Sequence, residues 1–353
     1  MSQNLPQHPT VHPFEFHGKS GEFFKIWIVN ICLTVLTLGI YSAWAKVRTH
    51  QYFYGHTTLA GSSFEYTAKP MTILKGRLIA IFVVIAFTLL IEIFPLAAIP
   101  VAVAFIAVFP WLICRALKFQ ATNTRYRNLS FNFHGKYKQA FLNYLLLPFL
   151  SIFTLYIVYP LVIAIQKRWH VNQSSYGQTF FTSQLKSGSI FMIYLKAIGL
   201  LFLASFIFTI IGTIFAVMLG ISFDPAFIDP DSNPYFPFYG LLFLPLYVTF
   251  YVAFIQTRVL NTVFNTSSLA GNNFESKLKA RTVTWLIISN TLAILVSAGL
   301  LIPWTHIRMA RYRAECTQLL ATGDLDEFTR GATEQQNALG EELGEAMDLE
   351  FGI

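Results

Sequence analysis

The chain has 353 residues, of which 54% are hydrophobic and 12% charged, and its mean hydropathy is +0.52. Soluble domains carry about a quarter of their residues as charge, so this composition excludes an ordinary water-soluble globule and points to a chain solvated by lipid. The net charge of +7 divides unevenly, because Ala321–Ile353 holds nine acids against one arginine and the body before it is strongly basic.

Met1–Thr10 is polar and lacks the basic start and apolar centre of a secretory signal, so the first apolar segment, from Phe23, is expected to target the chain and stay in place. It follows a Phe14-Glu-Phe-His-Gly-Lys19 opening and runs to Ala45. Alternation in Ser63-Phe-Glu-Tyr66 then predicts a short strand. From Leu78 to Cys114 the chain is apolar with Glu92 as its single charge, enough for two helices turning at Pro95–Pro100. The opening returns as Phe131-Asn-Phe-His-Gly-Lys136, with a second predicted strand over Ser130–Phe133, followed by an apolar stretch from Gln139 to Gln166. Ala197–Ile221 and Tyr235–Ile255 are expected to span the membrane on either side of an acidic, proline-rich loop, Asp224–Asp231. A worn copy of the opening, Gly271-Asn-Asn-Phe274-Glu, precedes the last apolar segment, Thr282–His306, and the acidic tail closes the sequence.

A spaced signature recurs along the chain. Trp44, Trp111 and Trp304 each stand four residues before an arginine, Arg48, Arg115 and Arg308; four residues beyond stand Tyr52, Phe119 and Tyr312, and nine beyond stand Thr57, Thr124 and Thr317. Phe254 and Arg258 form a weaker copy, and Arg168 is taken as the most degenerate one. Together with Thr37-Leu-Gly-Ile-Tyr-Ser-Ala-Trp44, Gly61, Phe64-x-Tyr66 and the closing Thr322-Gly-Asp-Leu-Asp326, these motifs resemble the YjgN family of bacterial inner-membrane proteins, from about Phe14 to Phe328. The resemblance implies a multi-pass protein of the bacterial inner membrane. It implies no reaction, ligand or catalytic residue, since the family is one of unknown function.

The expected fold is an all-α polytopic membrane protein with internal repeats and short β-hairpin-like cytoplasmic segments. Its divisions are a polar tail 1–13, repeat units 14–130, 131–270 and 271–320, and an acidic tail 321–353. The segments Phe23–Ala45, Gln139–Gln166 and Thr282–His306 fit either single spans or re-entrant hairpins. Re-entry is favoured, because it puts all 25 Lys and Arg on one side, whereas single spans split them 15 to 10. The predicted tips are Leu38-Gly39, Ser151–Thr154 and Ala298-Gly299. Both termini and the basic loops are then expected in the cytoplasm.

The Trp, Arg and aromatic sets fit interfacial anchoring, with aromatic rings at headgroup level and arginines reaching the phosphates; convergence on an anionic ligand is the sharper alternative. This assigns Trp44, Arg48, Tyr52, Trp111, Arg115, Phe119, Arg168, Arg258, Trp304, Arg308 and Tyr312 as candidate lipid anchors. Asn30 and Asn290, each 18 residues before its arginine, fit amides that bond neighbouring helices, and Glu92 fits a carboxylate reaching headgroups or water; the sharper alternative makes all three candidates for a polar pathway, since polar groups inside a membrane are costly. The three cysteines and the histidines have no metal-site or redox-pair spacing, so no metal and no cofactor is expected. The partners expected are membrane lipids, anionic on the cytoplasmic side, and not nucleic acid. No catalytic motif is present, so the sequence favours a transporter- or channel-like protein, with a lipid-binding scaffold as the alternative.

Overall fold

A computed structural model describes residues 9–218 and 236–323; the predicted Asp224–Asp231 loop and nearly all of the acidic tail lie outside them. The ten strands are β1 (Thr10–Phe16), β2 (Thr57–Leu59), β3 (Ser62–Tyr66), β4 (Thr124–Tyr126), β5 (Leu129–Phe133), β6 (Ser174–Tyr176), β7 (Thr179–Ser183), β8 (Ser267–Leu269), β9 (Asn272–Ser276) and β10 (Thr317–Ala321). They form one closed antiparallel barrel in chain order, completed by β1 pairing with β10 over Thr10–Pro13 and with β2 over Phe14–Phe16. The all-α expectation is therefore wrong. The strands predicted at Ser63–Tyr66 and Ser130–Phe133 exist, yet they are parts of a barrel rather than isolated hairpins. An isolated hairpin of three-to-five-residue strands is marginal in water and exposes unpaired edges, and closure removes every edge.

Two-residue turns join the hairpins. Ala60-Gly61, Arg127-Asn128 and Ala270-Gly271 all have positive φ at both positions, the mirror-image turn whose twist matches that of the flanking strands. The barrel lumen is filled. Leu59, Tyr126, Leu129, Tyr176, Leu269 and Leu319 are buried together, with Phe14, Phe64, Phe131, Phe181 and Phe274 packed against them. Tyr126 donates its hydroxyl hydrogen to the Leu59 carbonyl at 2.6 Å and Tyr176 to the Tyr126 carbonyl at 2.9 Å. Burial, with Tyr126 adding to it, pushes the Tyr176 phenol well above its ordinary pKa.

Between successive β-hairpins the chain leaves the barrel and returns as a pair of helical segments. These are α1 (Ser20–Leu36) with α2 (Ser42–Gly55), α3 (Pro70–Ile93) with α4 (Ala98–Thr122), α5 (Tyr137–Phe141) and α6 (Leu147–Ile152) with α7 (Tyr159–Asn172), α8 (Ser187–Met218) with α9 (Phe236–Asn265), and α10 (Ala280–Val296) with α11 (Ile302–Glu315). Neighbouring pairs pack in chain order, and α11 returns to α1, so the helices ring the barrel axis. The junctions are built alike. The residue after each of β1, β3, β5, β7 and β9 donates its N–H to the carbonyl just before the partner strand, as His17 does to His56 at 2.9 Å and Lys277 to Cys316 at 2.8 Å. At the start of β2, β4, β6, β8 and β10, a Thr or Ser hydroxyl donates to the carbonyl four residues back, satisfying the last turn of the returning helix. Thr57, Thr124 and Thr317 of the sequence signature are three of these hydroxyls, and Ser174 and Ser267 are the others.

The three ambiguous segments are all helical hairpins. Reversals occur at Leu38-Gly39 and Ala298-Gly299, where both residues have positive φ. The third reversal lies at Leu155-Tyr156 rather than within Ser151–Thr154, and Tyr156 N–H donates to the Ser151 carbonyl at 2.9 Å. The tips are apolar and bare, with Leu38 96%, Leu155 85% and Val296 89% exposed. On α3 no residue is buried. Among the described residues, Pro70–Ile93, Pro95–Thr122 and Ser187–Ile207 are long and apolar enough to cross a membrane. Outward apolar faces of this extent suit a lipid solvent.

One packing rule links strand ends to the following helices. Gly18 and Gly135 follow the buried Phe16 and Phe133 by two residues, and a Cβ on Gly135 would come within 2.4 Å of the Phe133 ring and 2.6 Å of Trp169. Where the strand instead ends in Ser183 or Ser276, the residue two further on is the buried Leu185 or Leu278. Large and small residues exchange across the same step. We therefore expect Gly135→Ala to lower stability by about 1–3 kcal/mol through overpacking, and Phe133→Ser/Gly135→Leu to recover much of it. Thermal unfolding in detergent measures both, and a Gly135→Ala protein that melts like the parent would refute the rule.

Candidate functional site

The returning helices end at the barrel, and two cavities lie among them. A cavity of about 420 Å³ has Phe64, Phe131, Phe181 and Phe274 of the barrel filling as its floor, and α2, α4, α7 and α9 as its walls. A second, of about 580 Å³, lies among α7, α8, α9, α10 and α11. The two share His170, Val171, Val263 and Phe264 and so adjoin, and together they are termed the chamber. Its walls are mainly apolar, including Ile163, Val259 and Met309.

Lys167 on α7 and Arg313 on α11 both line the second cavity. Neither pairs with a carboxylate among the described residues. Burial, reinforced by Lys167, pushes the pKa of His170 below that of a free imidazole, which favours the neutral ring. Thr257 on the same wall is 2% exposed and its hydroxyl has no partner. The chamber thus offers hydrocarbon contact, two exposed cations without carboxylate partners among the described residues and an unsatisfied hydroxyl.

The residues singled out in the sequence are placed around this chamber rather than in it. Arg48, Arg115, Arg258 and Arg308 each stand eleven residues before an inward-facing residue of the next strand, Leu59, Tyr126, Leu269 or Leu319. Counting back equally from Tyr176 reaches Ile165, so Arg168 lies three residues, about 4.5 Å along the helix, out of that register. The guanidinium groups of Arg115, Arg258 and Arg308 lie over Trp111, Phe254 and Trp304 at 5.3, 5.7 and 5.1 Å. Trp44 stacks on Tyr41 instead. Two expected anchors hold junctions from within: the hydroxyl of Tyr52, which is 7% exposed, accepts from Lys19 N–H at 2.8 Å, and that of Tyr312 accepts from Lys279 N–H at 2.9 Å. Phe119 is half-buried against Val47, Tyr66 and Ala68. Asn30 and Asn290 are buried, Glu92 is exposed near the far end of α3, and neither cavity of the chamber is lined by any of the three.

Sequence reasoning noted Lys19 and Lys136 in the repeated openings but missed that a lysine recurs in every helical pair. Lys19, Lys69, Lys136, Lys186 and Lys279 each stand three residues after a strand end, where the chain turns into α1, α3, α5, α8 and α10. The signal was present at constant spacing, but the residues before each lysine vary from Gly to Ala to Leu, which hid it.

The match to known families covers these same parts. A family model described as a bacterial protein of unknown function (DUF898) matches residues 11–346. The chain belongs to that family. Inner membrane protein YjgN of Salmonella typhimurium is 25% identical over 359 residues, covering 90% of each chain, and the protein of the same name from Escherichia coli O157:H7 is 27% identical over 165 residues, 46% of this chain and 41% of the relative. The resemblance read from the motifs is therefore correct. These relatives are inner-membrane proteins, and the bare apolar helices suit the same membrane. No solved structure matches the chain.

The arginine level also sets a depth scale for this DUF898 chain. From Arg48 to the Leu38 tip, and from Arg308 to Ala298, is ten residues or about 15 Å; from Arg115 back to Ala98 is 17 residues or about 26 Å. The hydrocarbon core is about 30 Å thick, so ten residues of helix match about half of that thickness and 17 residues nearly all of it. Single cysteines at Glu65 and Thr182 on the barrel are expected to react with an impermeant maleimide from the same membrane face, while cysteines at Leu38 and Val296 resist it from both faces. Labelling of Glu65 and Thr182 from opposite faces would break this arrangement.

Proposed function

We propose that this inner-membrane protein binds an anionic amphiphile in the chamber between its helices and the filled barrel. The acidic group sits at Lys167 and Arg313, and the hydrocarbon lies against Ile163, Val259 and Met309. The observation that carries this reading is the pair of cations, without carboxylate partners among the described residues, on the wall of an apolar cavity. Both side chains are exposed, and a ligand that brings its own negative charge gives them a partner beside an apolar wall.

The reading includes a multi-pass chain of five repeated helical pairs, with the barrel and both termini in the cytoplasm. Positive charge supports that side, since the lysines at the five junctions lie at the barrel edge, where they also attract anionic headgroups. Binding is favoured over conduction because aromatic and leucine side chains fill the barrel axis, and because Asn30, Glu92 and Asn290 line neither cavity of the chamber. The reading is one of binding without catalysis, and it calls on no cofactor or nucleic acid.

Titration of the detergent-purified protein with a fluorescent long-chain fatty acid tests it. Lys167→Glu/Arg313→Glu is expected to weaken binding about tenfold or more, because each basic residue near an anionic group contributes on the order of 1 kcal/mol. Unchanged affinity in the double variant would refute the chamber as the site.

A further inference from the structure

The first and last helical pairs carry the same intramembrane polar positions, and one of them is incomplete. Asn290 follows Lys279 by eleven residues and precedes Arg308 by 18; Asn30 stands in the same relation to Lys19 and Arg48. In the last pair the set is closed: Arg308 Nη1 donates to Asn290 Oδ1 at 3.2 Å and to Ser289 Oγ at 2.7 Å. In the first pair it is open. Asn30 is 5% exposed, and its Oδ1 has no hydrogen-bond partner. Its Nδ2 makes a long 3.5 Å bond to the Ala45 carbonyl. Arg48 is exposed, with no hydrogen bond among the described residues, and the position of Ser289 is taken by Val29.

The open position adjoins a groove of about 340 Å³ between α1 and α2, lined by Trp27, Asn30, Thr34, Val35, Lys46 and Thr49 among others. The Thr34 hydroxyl is engaged by the Asn30 backbone carbonyl at 2.6 Å, so it does not satisfy the amide oxygen. Lys46 is exposed and has no carboxylate partner among the described residues. Val35, on the same groove, is 68% exposed on the apolar surface of the hairpin. An acceptor lacking a donor, a free cation and an open apolar flank thus lie in a helical pair whose length matches about half of the hydrocarbon core.

We propose that this groove binds a bilayer phospholipid whose headgroup carries an N–H donor. The headgroup ammonium takes the place at Asn30 that the Arg308 guanidinium holds at Asn290, the phosphate lies by Lys46, and an acyl chain follows Val35. Phosphatidylethanolamine satisfies all three contacts. Phosphatidylcholine has the same phosphate and chains but no donor, so the unsatisfied oxygen discriminates between them. The groove shares no lining residue with the chamber, so this site stands or falls independently of the fatty-acid site.

Native mass spectrometry of the full-length protein in detergent, offered equimolar phosphatidylethanolamine and phosphatidylcholine with identical chains, tests the proposal. The parent is expected to retain phosphatidylethanolamine about tenfold over phosphatidylcholine, and Asn30→Leu to retain the two equally. Val29→Ser gives Arg48 the hydroxyl that Arg308 has; it is expected to draw the guanidinium onto Asn30 and reduce phosphatidylethanolamine retention in a protein that still folds. Equal retention of both lipids by the parent, or an undiminished preference in either variant, would overturn the proposal.

Discussion

Closure of the barrel is the constraint on which the rest of the molecule depends. Its strands are three to seven residues long, too short to persist singly, and each gains stability only because both its edges are paired. Once ten such strands are joined in chain order, every helical excursion must begin and end at the same rim. A segment that crossed the membrane once would leave its next strand on the wrong side. Every helical segment that leaves the rim is therefore matched by one that returns, a pairing imposed by backbone hydrogen bonding in the barrel, while hydrophobic length sets how far each excursion goes.

Within that pairing the excursions differ in length. The α1–α2, α5–α7 and α10–α11 pairs are short, while α3 and α4 together with α8 and α9 are far longer. Short re-entrant turns are tolerated at depth when their backbone groups are satisfied locally. Thr37, at the first tip, illustrates how: its hydroxyl donates to the Leu33 carbonyl at 2.7 Å and accepts from Tyr41 N–H at 2.9 Å. At the last tip Ser297 does comparable work for Leu301 N–H at 3.0 Å. Small and hydroxyl residues at these reversals are thus required by hydrogen bonding where water is scarce.

Much of the local structure was legible in the sequence. The Phe-x-Phe-His-Gly-Lys openings marked strand ends entering helices, and the Leu38-Gly39 and Ala298-Gly299 reversals followed from composition and charge placement. The barrel was not legible, because the period-two signal spans only three to five residues in most strands and Thr10 pairs with Ala321, at the far end of the chain. Turns such as Ala60-Gly61 and Arg127-Asn128 lack the Asn-Gly signature that ordinarily announces a tight hairpin. Arg168 misled because Tyr176-Gly177 and Phe180-Phe181 follow it in the expected order, though at shorter distances than in the other copies. The chamber could not be read at all: Lys167 and Arg313 are 146 residues apart in sequence, and only the ring of helices brings them to one cavity.

The seam between β1 and β10 has a consequence for biogenesis. Strand β1 is made among the first residues and its partner β10 among the last described ones. At ribosomal rates of about 5–20 residues per second, the roughly 300 intervening residues take on the order of 15–60 s to appear. Throughout that interval β1 has an unsatisfied edge, and the aromatic filling of the lumen stays partly open while the helical pairs are made in turn. The barrel therefore stays open until Thr317 is made, and a ribosome that stalls before it leaves a chain with an open sheet, a substrate on which quality-control proteases can act.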